Sequence, residues 1–380
     1  HVNSTFWASA DWVMLELIPP KNIEKSPKPM EALFAGFAGV EKSFNTFEKY
    51  IDGAFTDYMS LEIVSDEYGV HLYIRTMKKY RHLLEAHLYA QYPDVEIIEV
   101  PDYVNDVPKI IPNNQWDLWG TDFMFVRDNA YPIKTYKTFE EDITGTMIDP
   151  LAGLIEVMGK LGPGLKIWFQ LVVKPTSPAW AGTNGKKVLD KLKGKEKKEK
   201  GLFERIWGDI VDVLTHLYKG LHEPVEFPAE KKKDEQPLDT RLSPGERDVL
   251  KAVEDNLGKL QFETKIRFIL LGKRTSMDKT FVSAFTGGMK QFGDDNINSF
   301  KPDNVSKTKA DYWTRKPRLA YKQRKILRRY RNRSMDGATV VLSSEELATM
   351  FHLPDMNVMA PSLSRVEAKR GGAPANLPIE

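Results

Sequence analysis

The chain has 380 residues, of which 41% are hydrophobic and 28% are charged, a composition typical of a globular protein rather than a disordered one. Lys and Arg number 55 against 53 Asp and Glu, so the net charge of +2 excludes nothing by itself. No apolar run approaches the roughly 18 residues that cross a bilayer. The absence of cysteine excludes disulfides, Cys-ligated zinc, iron–sulfur clusters and thiol catalysis, and favours a reducing, cytoplasmic compartment.

The first 108 residues predict one structural unit in which strands and helices follow the order βαββαβ. Its first strand stops at Pro19 and Pro20, and a turn composition at 66–69 joins two β-rich runs into a hairpin. The predicted elements are strand 12–18, helix 30–40, strands 58–64 and 70–76, helix 80–92 and strand 95–100. This order is that of a ferredoxin-like α+β unit.

The same order recurs over residues 109–303, which predicts a second ferredoxin-like unit. The predicted elements are strand 123–127, helix 149–158, strands 166–173 and 262–271, helix 278–292 and strand 297–300. A helical insertion, 175–258, interrupts this unit between its two middle strands, where a hairpin tolerates additions. Trp116 and Trp119 precede the first strand, and we expect them to pack between the two units.

The insertion combines a lysine-rich run at 186–200 with an amphipathic helix at 202–221 and a linker rich in proline and charge at 224–237. One face of that helix carries the candidate membrane or partner residues Phe203, Ile206, Trp207, Ile210 and Leu214. Two interpretations are open. Either this apolar face is buried against protein, or it lies on a lipid surface beside the lysine-rich run. Acidic residues on the polar face of the helix oppose contact with anionic lipid.

The sharpest change in composition falls at 312–333, which contains ten basic residues, no acidic residue and interleaved aromatics. The basic residues are Arg315, Lys316, Arg318, Lys322, Arg324, Lys325, Arg328, Arg329, Arg331 and Arg333. Such a helix either neutralises nucleic-acid phosphates or pairs with acidic surface of this chain or a neighbouring subunit. With both basic runs set aside, the remaining chain is acidic. Residues 304–380 are predicted to form this basic helix and a connector.

No pattern in the sequence predicts catalytic, cofactor-binding or metal-binding residues. The nearest approach to a phosphate loop fails because Trp180 replaces its first glycine and Lys187 its hydroxyl residue. A calcium-like run at 294–298 has the wrong residues at the sixth and twelfth positions. His82 and His87 are five residues apart, which does not place two ligands on one helical face. An enzyme whose site is assembled from distant positions stays a separate hypothesis.

Several segments nevertheless resemble a known family. They are 61–64 with 74–76, the run Tyr89-Ala90-Gln91-Tyr92-Pro93 with its continuation to 97, the segment 342–354, and 361–363 with 373–378. In these segments the chain resembles the N-terminal region, ahead of the motor domain, of type IV secretion and conjugation ATPases of the HerA/FtsK class, particularly those of candidate-phyla bacteria.

The resemblance implies that the chain is a non-catalytic assembly or substrate-docking region of an ATPase that transfers DNA or protein. The chain starts at His1 rather than Met, and we expect a motor domain after Pro378 in a longer parent protein. The implied partners are that motor domain, neighbouring subunits of a homo-oligomer, DNA, and the inner membrane surface or channel proteins. The implied location is the inner face of the cytoplasmic membrane. The alternatives are a peripheral membrane adaptor using 202–221 and the hidden enzyme.

Overall fold

The three-dimensional structure is a computed structural model of the whole chain. It describes residues 11–21, 23, 25–39, 57–139, 148–177, 180–193, 242–311, 314–356, 358, 363 and 365. The predicted amphipathic helix at 202–221 and the linker at 224–237 therefore lie outside the described residues.

The described strands build one nine-stranded sheet in which every ladder is antiparallel. They are β1 Trp12–Ile18, β2 Met59–Ser65, β3 Val70–Met77, β4 Glu96–Val100, β5 Trp116–Phe125, β6 Leu165–Pro175, β7 Gln261–Lys273, β8 Phe300–Pro302 and β9 Val340–Ser343. Eight of them follow the order β4-β1-β3-β2-β6-β7-β5-β8, and β9 pairs with β7. The protein is thus a mixed α/β fold built on a single sheet.

The centre of the sheet is the junction between β2 and β6, which pair from Met59 with Val173 to Ser65 with Ile167. Each half of the chain contributes four strands on one side of this junction. Read from the outer edge of the sheet towards the junction, both halves have the order fourth, first, third, second. β2 is buried along its whole length, as an interior strand covered on both faces should be. The two halves therefore share one continuous sheet.

Helices cover one face of the sheet and complete its larger hydrophobic core. Those in the described residues are α1 Pro29–Ala38, α2 Arg81–Gln91, α3 Ala152–Gly159, α4 Lys186–Leu192, α5 Pro244–Leu257, α6 Thr280–Gly288, α7 Arg315–Arg331 and α8 Ser344–Met350. α1, α2, α3, α6 and α8 bury apolar side chains in this core. Among the described residues, no helix combines the length and the apolarity needed to cross a membrane.

The opposite face of the sheet carries a smaller core that is covered by α7 and by the loop at 103–111. Ile326, Leu327 and Tyr330 of α7 pack there against strand residues such as Trp168 and Ile269. The predicted basic helix is therefore a structural layer of the fold. Its apolar positions at helical spacing face the sheet, and most of its charges are left outside.

Most predicted element boundaries agree with the structure within about two residues, but two helices and two strands differ more. The helix predicted at 149–158 begins at Ala152, and the one predicted at 278–292 ends at Gly288 and is followed by a 3₁₀ segment at Met289–Phe292. The strand predicted at 123–127 begins instead at Trp116, because Asp117, Gly120 and Asp122 interrupt the apolar alternation that marks a strand. The strand predicted at 297–300 occupies Phe300–Pro302. α5 was not predicted, although Ser243 and Glu246 form a capping box at its start.

One contact in the second half leads to a prediction about stability. A Cβ atom added to Gly272 in β7 would lie 2.4 Å from the backbone oxygen of Gly164. Because the clash is with backbone, it cannot be removed by rotating a flexible side chain. We expect Gly272→Ala to lower the free energy of unfolding by about 2–3 kcal/mol, measured by urea denaturation. The control is Gly287→Ala in α6, where nothing lies within 4 Å and the variant should be neutral or more stable. Equal effects of the two changes would contradict the packing argument.

Candidate functional site

A row of polar side chains crosses the sheet on the face that α7 covers. Cross-strand register places these residues opposite one another in successive strands: Glu16, Tyr73, Glu62, Gln170, Arg267 and Asp122. All of them except Glu16 are buried. Buried polar groups destabilise a fold unless they are hydrogen-bonded, so the partners of this row decide how α7 is held.

Glu62 at the centre of the row receives the guanidinium of Arg333, which follows α7. Arg333 Nε and Nη2 donate to the two carboxylate oxygens of Glu62 at 2.9 and 3.1 Å, and Nη1 donates to Asp102 at 2.6 Å. Ser60, Tyr103 and Gln170 donate to the same Glu62 carboxylate at 2.5, 2.5 and 2.9 Å. Glu62 is thus a fully bonded carboxylate at the middle of the protein.

The electrostatics of Glu62 follow from these bonds. Burial alone would raise the pKa of its carboxyl, but the charge of Arg333 and the hydrogen bonds from Arg333, Ser60 and Tyr103 lower the pKa to about 2. The carboxylate is therefore charged at neutral pH, and the end of α7 is held to the sheet by a buried ion pair.

The backbone at Arg333 is adapted to this contact. Arg333 has φ of 47°, in the left-handed region, and its N–H donates to the carbonyl of Tyr330 while Ser334 N–H donates to that of Arg329. These two bonds form a Schellman motif, in which the left-handed position is usually glycine. An arginine accepts the strain here because its side chain reaches Glu62 and Asp102.

A second buried ionic group lies further along the row. Asp122 pairs with Arg267 Nε at 2.9 Å and with Lys265 Nζ at 2.7 Å, and all three side chains are almost completely buried. Arg267 also donates to the carbonyls of Arg329 and Ser334 at 3.0 and 3.1 Å. Burial lowers the pKa of Lys265, and the charge of Asp122 opposes that shift. This group fixes the turn that follows α7.

The outer side of α7 forms one wall of a groove of about 450 Å³, and Lys109 with Ile110 forms the other wall. The lining residues are Lys109, Ile110, Tyr321, Arg324, Lys325, Arg328, Arg331 and Asn332. Five of these are cationic and none is acidic. Tyr321 and Ile110 are 63% and 61% exposed, so an aromatic ring and an aliphatic side chain are available to a ligand beside the charges.

Of the ten predicted basic residues, Arg324, Lys325, Arg328 and Arg331 line the groove, and Arg333 is buried. Arg315, Lys316, Arg318, Arg324 and Arg328 are exposed. Lys325, Arg329 and Arg331 are half-buried, and Lys322 donates to the carbonyls of Lys307 and Lys309 at 3.1 and 3.2 Å. Arg331 donates to the backbone carbonyls of Val107 and Pro108, and these bonds hold the second wall of the groove against α7. Within the described residues, Arg333 is the one member of the ten that forms ion pairs, with the buried carboxylate of Glu62 and the partly exposed carboxylate of Asp102.

The other predicted site residues, Phe203, Ile206, Trp207, Ile210 and Leu214, lie outside the described residues. In the part of the chain that the structure describes, no three His, Asp or Glu side chains are grouped to hold a metal ion. The calcium-like run at 294–298 forms a polar turn whose carbonyls at Asp295 and Asn296 accept hydrogen bonds from Arg127.

Sequence reasoning missed the polar row and the second wall of the groove. The available signal was a charged or amide residue at a single position of an otherwise apolar run, as for Glu62 in 61–64 and Gln170 in 167–173. Such residues in an interior strand require a buried partner. No local pattern indicated Lys109 and Ile110, because they belong to a loop between the halves.

The fold and the site together define a mixed α/β protein with a buried ionic row under a cationic groove. The chain belongs to a family described as a domain of unknown function (DUF8128), whose model matches residues 5–365. No curated protein matches the sequence.

Proposed function

We propose that this chain is a non-catalytic docking region of a type IV secretion or conjugative DNA-transfer ATPase, and that it holds nucleic acid in the groove beside α7. The observation that carries the proposal is the lining of this groove, with five cationic side chains, no acidic one and an exposed tyrosine. Cations neutralise phosphates, and aromatic rings stack on bases without regard to sequence.

The arrangement of the cations along α7 supports a linear polyanion as the ligand. Arg324, Arg328 and Arg331 lie four and three residues apart, so they project from one side of the helix in neighbouring turns. None of the three forms an ion pair within the described residues. The acidic character of the rest of the chain would direct an anionic strand towards this surface.

The buried contacts under α7 support a docking role because they make the groove rigid. Gln323 donates to Asp117 and to the carbonyl of Leu118 at 2.8 and 2.6 Å, and Arg333 closes the far end on Glu62. A binding surface on a fixed helix loses little conformational entropy when the ligand arrives.

The wider assignment rests on the sequence resemblance. We infer that each half is a ferredoxin-like unit, which the strand order fourth, first, third, second in both halves supports. In the parent protein the region would contact its own motor domain and neighbouring subunits at the inner face of the cytoplasmic membrane, near the membrane surface and channel proteins.

The proposal predicts binding of a fluorescein-labelled oligonucleotide with an affinity that falls steeply between about 50 and 200 mM NaCl, measured by fluorescence anisotropy. Changing both Arg324 and Arg328 to Gln should weaken binding about tenfold or more at low salt. It should also reduce the slope of log affinity against log salt by roughly 2, because about one counterion is released per lost phosphate contact.

The matched control changes Lys279 and Lys290 to Gln, two exposed lysines on the α6 side of the sheet. This variant loses the same charge and should bind like the unchanged protein. Equal weakening by both pairs would mean that the effect is one of net charge alone. Binding that does not respond to salt would contradict phosphate contact in the groove.

A further inference from the structure

Two exposed side chains with apolar surface line the same groove from its opposite walls. Tyr321 belongs to α7 and is 63% exposed, and Ile110 belongs to the loop between the halves and is 61% exposed. A single exposed apolar side chain is ordinary on a protein surface, but two that line one cavity form a small binding patch. With five cations around them, they give the groove an apolar part as well as a charged one.

The loop that carries Ile110 is held in place on both sides of this residue. Val107 and Ile111 are buried in the smaller core under α7. The carbonyl of Ile110 accepts a hydrogen bond from the side-chain amide of Asn113 at 3.0 Å. Arg331 of α7 donates to the carbonyl of Val107 at 2.9 Å, which ties the loop to the helix. The exposed side chain of Ile110 is thus carried by a fixed backbone.

The ring of Tyr321 stands at one end of the row of cations on α7. The ammonium of Lys325, one helical turn further on, lies over this ring at 5.8 Å from its centre. Arg324 and Arg328 follow Tyr321 by three and seven residues, so they leave the helix on the same side. Lys325 covers part of the ring, and the exposed remainder is open to a flat ligand beside the arginines.

A nucleic-acid base suits these surroundings when it is unpaired. Each base has a π face that stacks on an aromatic ring, and an aliphatic side chain contacts the opposite face without requiring a hydrogen bond. Inside a duplex both faces of a base are covered by its neighbours, so a protein side chain reaches them only by unstacking the helix. A duplex would therefore use the cations of the groove and leave Tyr321 and Ile110 without a partner.

We propose that Tyr321 and Ile110 clamp one unpaired base, so that the groove selects single-stranded nucleic acid over duplex. This inference rests on the proposed function, because Arg324 and Arg328 hold the phosphates of the same strand. Lys325 meets the phosphate next to the clamped base. Stacking and aliphatic contact are tolerant of base identity, so the clamp selects an unpaired base and not a particular sequence.

The test compares three fluorescein-labelled probes of about 12 residues by fluorescence anisotropy in about 50 mM NaCl. They are a single strand of mixed sequence, the corresponding blunt duplex, and a strand of abasic sites that has the same phosphates but no bases. The single strand should bind about tenfold or more tightly than the abasic strand, because base stacking contributes a factor of this size. It should also bind more tightly than the duplex, although the duplex has the higher charge density.

Substitutions of the clamp separate base contact from phosphate contact. Tyr321→Ala should weaken binding of the single strand about tenfold and leave binding of the abasic strand unchanged. Tyr321→Phe keeps the ring and should bind like the unchanged protein, and Ile110→Ala should weaken single-strand binding to a smaller extent. The matched control is Tyr68→Ala, which changes a tyrosine that is 81% exposed in the turn between β2 and β3 and does not line the groove. It should bind all three probes like the unchanged protein.

The outcomes distinguish a failure of the clamp from a failure of the proposed function. Equal affinity for the three probes, or a preference for duplex, would overturn the clamp, and loss of that binding in the double variant of Arg324 and Arg328 would still support phosphate contact in the groove. An equal effect of Tyr321→Ala on the abasic strand would also overturn the clamp, since the ring would then not act through a base. No binding of any probe would overturn the proposed function and the clamp together.

Discussion

Replacing Arg333 with methionine is expected to lower the free energy of unfolding by about 3–5 kcal/mol, because the change leaves the Glu62 carboxylate buried without its cation. Three neutral donors, Ser60, Tyr103 and Gln170, would stay in place and cannot balance the charge. The same change removes the contact with Asp102 that ties the end of α7 to the loop on the far wall of the groove.

Urea denaturation followed by tryptophan fluorescence measures this effect. Trp168 is a suitable reporter, because its ring lies 5.1 Å from that of Tyr103 and 5.2 Å from that of Tyr330. The matched control is Arg331→Met, which removes bonds to two carbonyls but no buried ion pair, and should cost about 1 kcal/mol. A double variant with Glu62→Gln and Arg333→Met should recover part of the loss, since no uncompensated charge remains.

The same pair gives the protein an acid-sensitive component of stability. The pKa of Glu62 is about 2 in the folded protein and about 4.5 when unpaired, so its contribution is complete above the higher value and is lost as the pH falls towards the lower one. That difference corresponds to roughly 3 kcal/mol. In Arg333→Met this loss between about pH 4.5 and 2 should disappear. A variant that keeps the acid sensitivity of the unchanged protein would show that Arg333 is not the source of the shift.

The sequence predicts the strands and helices well where one face of an element is apolar and the other is not. The helix at 29–38 and the hairpin at 59–77 carry this pattern clearly, and their bounds agree closely with the prediction. The repeated order of elements also indicated two halves of similar topology. Each helix or strand buries its own apolar face, so the spacing of apolar residues within one element is enough to predict that element.

Other features depend on contacts between residues far apart in the chain, and local pattern does not contain them. Arg333 and Glu62 are separated by 271 positions, so the buried arginine of the basic helix looks no different from its exposed neighbours such as Arg328. The pairing of β2 with β6, which joins the halves, likewise depends on the shape of two complete cores. The groove could be predicted only as a cationic helix, because its second wall at Lys109 comes from another part of the chain.

Asp122→Asn is expected to be as damaging as the loss of Arg333, by about 3–5 kcal/mol, because two buried cations, Lys265 and Arg267, would then face each other without a carboxylate. Lys265→Met is the informative control. It leaves Arg267 and Asp122 as a balanced pair, and the loss of the bond to the Ala338 carbonyl should cost only about 1 kcal/mol. Urea denaturation of the two variants under identical conditions separates an imbalance of charge from a simple loss of contacts.

The pH dependence of Asp122→Asn provides an independent check. Burial already lowers the pKa of Lys265, and removing Asp122 removes the charge that opposes this shift, so the folded protein would bind the lysine proton still more weakly. The unfolded chain then holds more protons than the folded one below the ordinary pKa of lysine, and stability must rise with pH in that range. The midpoint of urea unfolding of this variant should therefore increase from neutral towards alkaline pH more than that of the unchanged protein. If the midpoint of the variant shows no larger increase, Lys265 binds another acceptor or lies in solvent. The stability of the buried row would then not depend on a balance of charge at Asp122.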